Sequence, residues 1–379
     1  MPKIFWISFA GVLYTYFGYP IAIWAAGRLA SRAVSKKPIA PRVSVVVPCY
    51  NEQANVIARI RNLEASDYPA DKLDIIVVSD GSTDGTARTL NKVSGQITVL
   101  SYPKRRGKAS ALNSAIQAAT GDVIVFADAR QRFEPQAIRE LVSNLADETV
   151  GAVTGELILG NKDRSQIGDA QALYWRYEKW IRKSESRFDS SIGATGAIYA
   201  IRKGLWRPLP ESTILDDVYT PMRISLDGYR VVFEEKARAY DRAAQNSRQE
   251  FLRKVRTLTG NYQLCQLMPR LLAPNHRLFI QFCSHKMMRL MAPILLVGCF
   301  TSNAAMCLGR GATPTLYTIA LLIQTAFYVL VAAGWILSGH NRLVRLARAA
   351  YAFSLMNAAA LLGLIYFITG KQDVWTRTE

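Results

Sequence analysis

Val43-Ser-Val-Val-Val-Pro-Cys-Tyr-Asn-Glu52 and Asp74-Ile-Ile-Val-Val-Ser-Asp-Gly-Ser-Thr-Asp84 decide the fold of this chain. Each begins as a short β-branched run, too brief for an ordinary helix, and ends in polar residues, the pattern of a buried strand that runs into a loop. In a parallel sheet, ligands bind beyond the carboxyl ends of the strands. Tyr50, Asn51, Glu52, Asp80 and Asp84 stand there and form a first candidate site.

Outward from this pair, β-branched runs at 43–47, 73–78, 97–100, 122–126 and 150–154 alternate with helical stretches at 54–64, 86–93, 108–120 and 135–145. Strand and helix in repetition predict an α/β domain with a parallel, doubly wound sheet, extending over residues 41–272. Residues 1–40 precede it. They hold an uncharged stretch at 4–27, long enough to cross about 30 Å of hydrocarbon as a helix, followed by Arg28, Arg32, Lys36 and Lys37 and a linker marked by Pro38 and Pro41. The uncharged stretch is longer than the apolar segment of a usual signal peptide. Residues 273–379 follow, with an interfacial segment and three further apolar runs near 291–308, 316–337 and 349–368. The excess of Lys and Arg predicts that the domain and the stretch 338–348 face the cytoplasm, with the N-terminus outside. One span before the domain and three after it put the tail 371–379 outside as well.

The chain has 379 residues, half of them hydrophobic, and a formal charge of +18. Apolar runs at both ends and charge between them describe an integral membrane protein with a catalytic domain, of the kind found in a bacterial inner membrane. No helix-turn-helix, zinc-finger or ribonucleoprotein fingerprint accompanies the basic excess, so nucleic acid is not an expected partner; a membrane surface and a phosphorylated substrate are. The five cysteines form no CxxC pair and read as buried thiols.

Four further motifs carry chemistry. Asp128 ends the apolar run 122–126 and reads either as a ligand for a hard divalent cation or as a loop carboxylate. Lys104-Arg-Arg-Gly-Lys108 is a basic loop before a predicted helix, placed to attract an anion or to lie solvated. Asp216-Asp217 follows the small-residue segment 193–199, which contains Gly196; the pair supplies either a general base or dipole partners for a helix start. Arg253 and Arg256 share a helical face suited to a diphosphate or to anionic lipid.

This ordered set resembles the inverting family 2 glycosyltransferases, above all the membrane-embedded branch of hyaluronan, cellulose and poly-N-acetylglucosamine synthases. The resemblance covers residue 41 to about 268 and implies a nucleotide-diphospho-sugar transferase (GT-A-like) fold. It implies a uridine site at Pro48, Tyr50 and Glu52, a base contact at Asp80, and Lys108 near the nucleotide. Asp128 would bind the metal, Mg2+ or Mn2+, and the donor diphosphate, with arginine at the third position of the family's Asp-x-Asp. Asp217 matches the catalytic base, with Asp216 and Gly196 on the acceptor side. The implied donor is a UDP-linked sugar and the implied acceptor a glycan or a lipid-linked saccharide, with a partner subunit left open.

Two departures stand out. Processive synthases carry Gln-x-x-Arg-Trp, where this chain has Arg253-Lys-Val-Arg256-Thr257; the diphosphate arginine is kept and the tryptophan under the acceptor is replaced by Thr257. The tail Trp375-Thr-Arg377 resembles a gating segment of hyaluronan synthases that works on the cytoplasmic side. The alternatives to a polysaccharide synthase are single transfer to a polyprenyl phosphate or lipid-linked oligosaccharide, and a catalytically silent nucleotide-binding membrane subunit.

Overall fold

The computed structural model describes residues 1–93, 97–160, 167–242, 247–309, 315–337, 339 and 341–370. The chain divides into two compact units. An α/β unit comprises Ala26–Gly160 with Arg182–Ala243, and a helical unit comprises Met1–Ala25, Asn161–Ile181 and Ala244–Glu379.

The α/β unit is built on eight strands: β1 (Val43–Cys49), β2 (Leu73–Asp80), β3 (Ile97–Tyr102), β4 (Val123–Ala127), β5 (Arg132–Phe133), β6 (Val150–Gly160), β7 (Ile198–Arg202) and β8 (Arg230–Arg242). They form one sheet in the order β3-β2-β1-β4-β7-β6-β8-β5. The first four are parallel in sheet order, with Val45 of β1 level with Ile75 of β2 and Val125 of β4. Val43, Val45, Val46 and Val47 are fully buried, as are Ile76, Val77, Ile124 and Val125. Each such valine contributes about 1.5–3 kcal/mol of burial, which is why these short runs settle as central strands.

The expected all-parallel sheet is corrected to a mixed one. β7 runs antiparallel to both β4 and β6, and β5 antiparallel to β8. The cause is local. No crossover helix leads into β7; a bridge from Thr195 to Ile198 feeds the chain in beside the carboxyl end of β4, where Ile198 pairs with Ala127, so the strand must run back.

Among the described residues, four helices are long and apolar enough to cross a membrane: Pro2–Leu29, Phe279–Leu308, Thr315–Ile336 and Arg342–Thr369. The last begins earlier than its apolar run. Asn341 caps it by accepting from the Val344 amide at 2.8 Å, so Arg342, Arg345 and Arg348 lie within its first turns rather than in a loop. The tail with Trp375 and Arg377 lies outside the described residues.

Two of the long helices contain a π-turn, at Tyr14–Gly18 and Cys283–Met287. Such a turn disturbs the hydrogen-bond ladder, and polar side chains gather at both. The Tyr177 hydroxyl donates to the Tyr16 carbonyl at 2.7 Å, and Tyr14 Oη lies 2.6 Å from Ser284 Oγ. Beside them the buried Glu178 pairs with Arg289 and, at 3.3 Å, with the buried His285.

Candidate active site

The carboxyl ends of β1, β2 and β3 carry three polar loops, each held in place by the next. Asn51 adopts a left-handed conformation (φ 57°), which a short polar side chain tolerates by bonding locally. Its Oδ1 accepts from the Thr83 amide at 2.7 Å, and its own amide donates to Ser82 Oγ at 3.1 Å, so the loop after β1 is tied to the Gly-Ser-Thr-Asp turn after β2. The Glu52 amide donates to Thr86 Oγ1 at 2.9 Å, while Glu52 Oε2 accepts from Asn55. Asp84 stands just before the helix Thr86–Leu90, whose N-cap is Gly85, and its Oδ1 accepts from the Thr86 amide at 2.8 Å. Pro48 stands at the end of β1, level with Val78.

Asp80 organises the basic loop. Its two carboxylate oxygens accept from the backbone amides of Arg106 (2.8 Å) and Gly107 (2.7 Å). Gly81 has φ +64°, and a Cβ there would come within 2.2 Å of the Arg105 nitrogen, so only glycine lets the two loops approach. The loop then sets the Arg105 guanidinium 4.2 Å over the Tyr50 ring. Asp80 is thereby engaged with the loop backbone, a role the residue pattern did not indicate.

Lys108 opens the helix Lys108–Ala118. Its ammonium lies 3.3 Å from Asp128 Oδ1 and 3.2 Å from Asp216 Oδ2, bridging the end of β4 to the Asp216-Asp217 pair. Arg130, at the third position of the Asp-x-Asp pattern, turns away: Nε and Nη2 reach the two oxygens of Asp241 on β8 at 3.1 and 2.9 Å. Asp128 keeps a half-exposed carboxylate. Among the described residues there is no group of three or more metal-ligating side chains, so a cation held here would take one protein carboxylate and draw its other ligands from substrate and water.

Asp216 and Asp217 open the helix Asp216–Leu226. Asp217 Oδ2 accepts from the Gly196 amide at 3.0 Å, and the Asp217 carbonyl accepts from the Ala194 amide at 2.8 Å. A side chain at position 196 would meet Asp217 Oδ2 at 2.9 Å, so glycine is what lets the amide reach the carboxylate. Burial, with Asp216 alongside, pushes the Asp217 carboxyl from its ordinary 3.8 up to about 6; Lys108 and Arg182 pull it down and Asp128 adds to the rise. A carboxylate in that range takes up a proton more readily than an ordinary aspartate and is still largely ionised at neutral pH.

Arg253, Arg256 and Thr257 belong to the helical unit, on the helix Ser247–Leu267. Arg253 pairs with Glu250 at 3.6 Å, and Thr257 Oγ1 donates back to the Arg253 carbonyl at 2.9 Å. The α/β unit thus gathers Pro48, Tyr50, Glu52, Asp80, Lys108, Asp128, Gly196, Asp216 and Asp217. Sequence reasoning singled out the basic loop 104–108 without distinguishing Arg105 within it, and missed Arg182 and Arg59. Arg59 is the largest fully buried side chain among the described residues; it lies 4.0 Å over the Phe133 ring and donates to Asn62 Oδ1, while Asn62 clamps both backbone groups of Phe133. Its position on the apolar face of the helix Val56–Glu64, where a charge is out of place, was the available signal.

Comparison with known proteins places this geometry. Residues 44–207 match the family model "Glycosyl transferase family 2". The probable glycosyltransferase YdaM of Bacillus subtilis (strain 168) is 27% identical over 232 residues, 58% of this chain and 55% of that protein. The poly-beta-1,6-N-acetyl-D-glucosamine synthase of Staphylococcus aureus (strain COL) is 25% identical over 277 residues, 69% of this chain and 63% of that protein. The chain therefore spans 55 to 63% of the length of these curated relatives. Among solved structures, the mannosyltransferase PcManGT from Pyrobaculum calidifontis, in complex with GDP-Man and Mn2+, superposes with a TM-score of 0.75 at 23% identity over 97% of this chain and 100% of that one. The fold is thus the GT-A-like one, flanked by four candidate membrane helices.

Proposed function

We propose that this chain, which carries a family 2 glycosyltransferase domain, transfers a sugar from a nucleotide diphosphate sugar to an acceptor hydroxyl in a single inverting displacement, with Asp217 as the base. The observation that carries the reading is the Asp217 carboxylate, oriented by the Gly196 amide and raised to about 6. A base so placed takes the acceptor proton as the hydroxyl attacks the anomeric carbon.

The donor is UDP-linked in this reading. Tyr50 and Glu52 bind its uridine at the end of β1, with Asp80 on the base side. Lys108 offsets the charge that develops on the departing diphosphate. Asp128 would hold a divalent cation, Mg2+ or Mn2+, which would supply further charge neutralisation to that diphosphate. The Mn2+ and GDP-Man of the Pyrobaculum protein support a cation and a nucleotide sugar in a fold of this kind.

The domain faces the cytoplasm of a bacterial-type cell membrane, and the acceptor is a glycan or lipid-linked saccharide of a cell-surface polysaccharide. Likeness to a poly-N-acetylglucosamine synthase supports this. A second reading, one transfer per lipid-linked acceptor, is favoured by Thr257 where processive synthases carry tryptophan. Membranes containing the full chain are incubated with a panel of radiolabelled nucleotide sugars and the product is sized on a gel. A ladder of long products supports the polymer reading, a single short product the second, and label transfer that survives Asp217→Asn rejects Asp217 as the base.

A further inference from the structure

Asp217 is held by the turn from Ala194 to Gly196, and that turn has its own anchors within the α/β unit. The Thr195 amide donates to Thr154 Oγ1 on β6 at 2.9 Å, and the Thr195 hydroxyl accepts from Arg182 Nη1 at 2.7 Å. On either side, the amides of Ala194 and Gly196 both donate to Asp217. Arg182 therefore reaches the base through the three-residue turn 194–196.

The charges around Asp217 are unevenly committed. Asp216 adjoins it on the same helix, Lys108 faces it from the helix Lys108–Ala118, Asp128 from the end of β4, Tyr199 from β7, and Arg182 from the helix Ile167–Phe188. Lys108 bridges two other carboxylates, Asp128 and Asp216. Arg182 Nε is buried and has no hydrogen-bond partner among the described residues. Arg182 as a whole is half-buried, so its charge is screened less than that of a fully exposed arginine.

We propose that Arg182 is the positioning residue of the base: it fixes the Thr195–Gly196 turn that orients Asp217 and, together with Lys108, supplies the counter-charge of that carboxylate. Arg182 touches no reacting atom in this arrangement. It acts through the turn and through its field. The inference rests on the reading of Asp217 as the base, but its test is arranged to fail separately.

The full-length chain in detergent is prepared as wild type, Arg182→Gln, Arg182→Lys, Asp217→Asn and the double variant Arg182→Gln/Asp217→Asn, and thermal unfolding is followed at pH 5 and pH 8 without donor. Arg182→Gln is expected to lower the midpoint by about 3 °C more at pH 8 than at pH 5, and this pH-dependent part is expected to vanish in the Asp217→Asn background. Arg182→Lys, which keeps the charge, restores it. A loss that is equal at both pH values, or unchanged when Asp217 is replaced, overturns the proposal and leaves Arg182 a packing residue. Turnover adds a second readout: in Arg182→Gln the acid limb of the pH profile moves up by about one unit, roughly a tenfold loss below the limb. If Asp217→Asn keeps full turnover while the pH-dependent coupling is present, the base assignment fails and the coupling stands.

Discussion

Asp217→Asn should make the folded protein more stable at neutral pH while it removes the transfer reaction. The sign follows from the direction of the shift. Folding raises the carboxyl from 3.8 to about 6, so the protonated form is the one the folded state favours. The stability associated with that form is fully present below pH 3.8 and is lost as pH rises through 6. At pH 7.5 the wild type has forfeited about two pKa units, on the order of 3 kcal/mol at 1.36 kcal/mol per unit. Asp217 keeps partial exposure toward the site, and solvent screening brings the figure to about 2 kcal/mol. Asparagine cannot ionise, yet its Oδ1 can still accept from the Gly196 amide, so little is lost in exchange. For a unit of this size, about 2 kcal/mol corresponds to roughly 4–8 °C in the unfolding midpoint. Thermal unfolding of both proteins in the same detergent, followed at pH 4 and pH 7.5, should show the asparagine variant ahead by that amount at pH 7.5 and the gap mostly closed at pH 4. In the wild type, turnover should rise with pH through about 6, as the base ionises. A gap of the same size at both pH values, or an asparagine variant that unfolds earlier at pH 7.5, would refute the claim that the site holds a destabilised carboxylate.

Gly196→Ala should lower kcat at least tenfold and leave nucleotide binding near wild type, because the new methyl meets Asp217 Oδ2 at 2.9 Å and displaces the amide that orients it; equilibrium binding of UDP beside steady-state turnover separates the two effects. In the helical unit, Glu178→Ala leaves Arg289 and the buried His285 without their carboxylate and should cost about 3–5 kcal/mol, whereas Glu178→Gln, which keeps a hydrogen-bond acceptor, should cost less; unfolding in detergent ranks the two, and an equal ranking would mean that the charge is irrelevant there.

The parallel half of the sheet was readable because β1, β2 and β4 are short β-branched runs buried on both faces, each ending in a polar loop. The antiparallel half was not. Ile198-Tyr-Ala-Ile-Arg202 is as apolar as β1, but its direction depends on the turn at Thr195, where no sequence rule marks a reversal. Likewise Asp80, Asp128 and Asp217 were visible as carboxylates after apolar runs or at a helix start. Arg182 sits in a stretch with Arg176, Lys179, Lys183 and Arg187, and nothing in the pattern distinguishes the arginine that reaches Thr195 from those that do not. Residue type and spacing identify a side chain able to do chemistry. Which of several like side chains meets the site is decided by pairing between distant segments, here β6, β7 and the helix starting at Asp216.

Arg130 shows why a departure from a motif has to be read through its partner. In sequence, an arginine at the third position of Asp-x-Asp both removes a metal ligand and adds a cation beside the donor diphosphate, two changes with opposite consequences for metal dependence. In the structure only the first applies. Asp241 takes both donors of the Arg130 fork, and Gln131 binds the same carboxylate at 2.9 Å, so the positive charge is neutralised at β8. The cation that does face Asp128 is Lys108, and it is shared with Asp216. The end of β4 therefore offers one carboxylate and one shared ammonium, not a carboxylate pair. A diphosphate bound there would draw Lys108 toward itself and free the oxygens of Asp128 and Asp216 together. Donor binding and the charge environment of Asp217 would then be coupled through a single lysine.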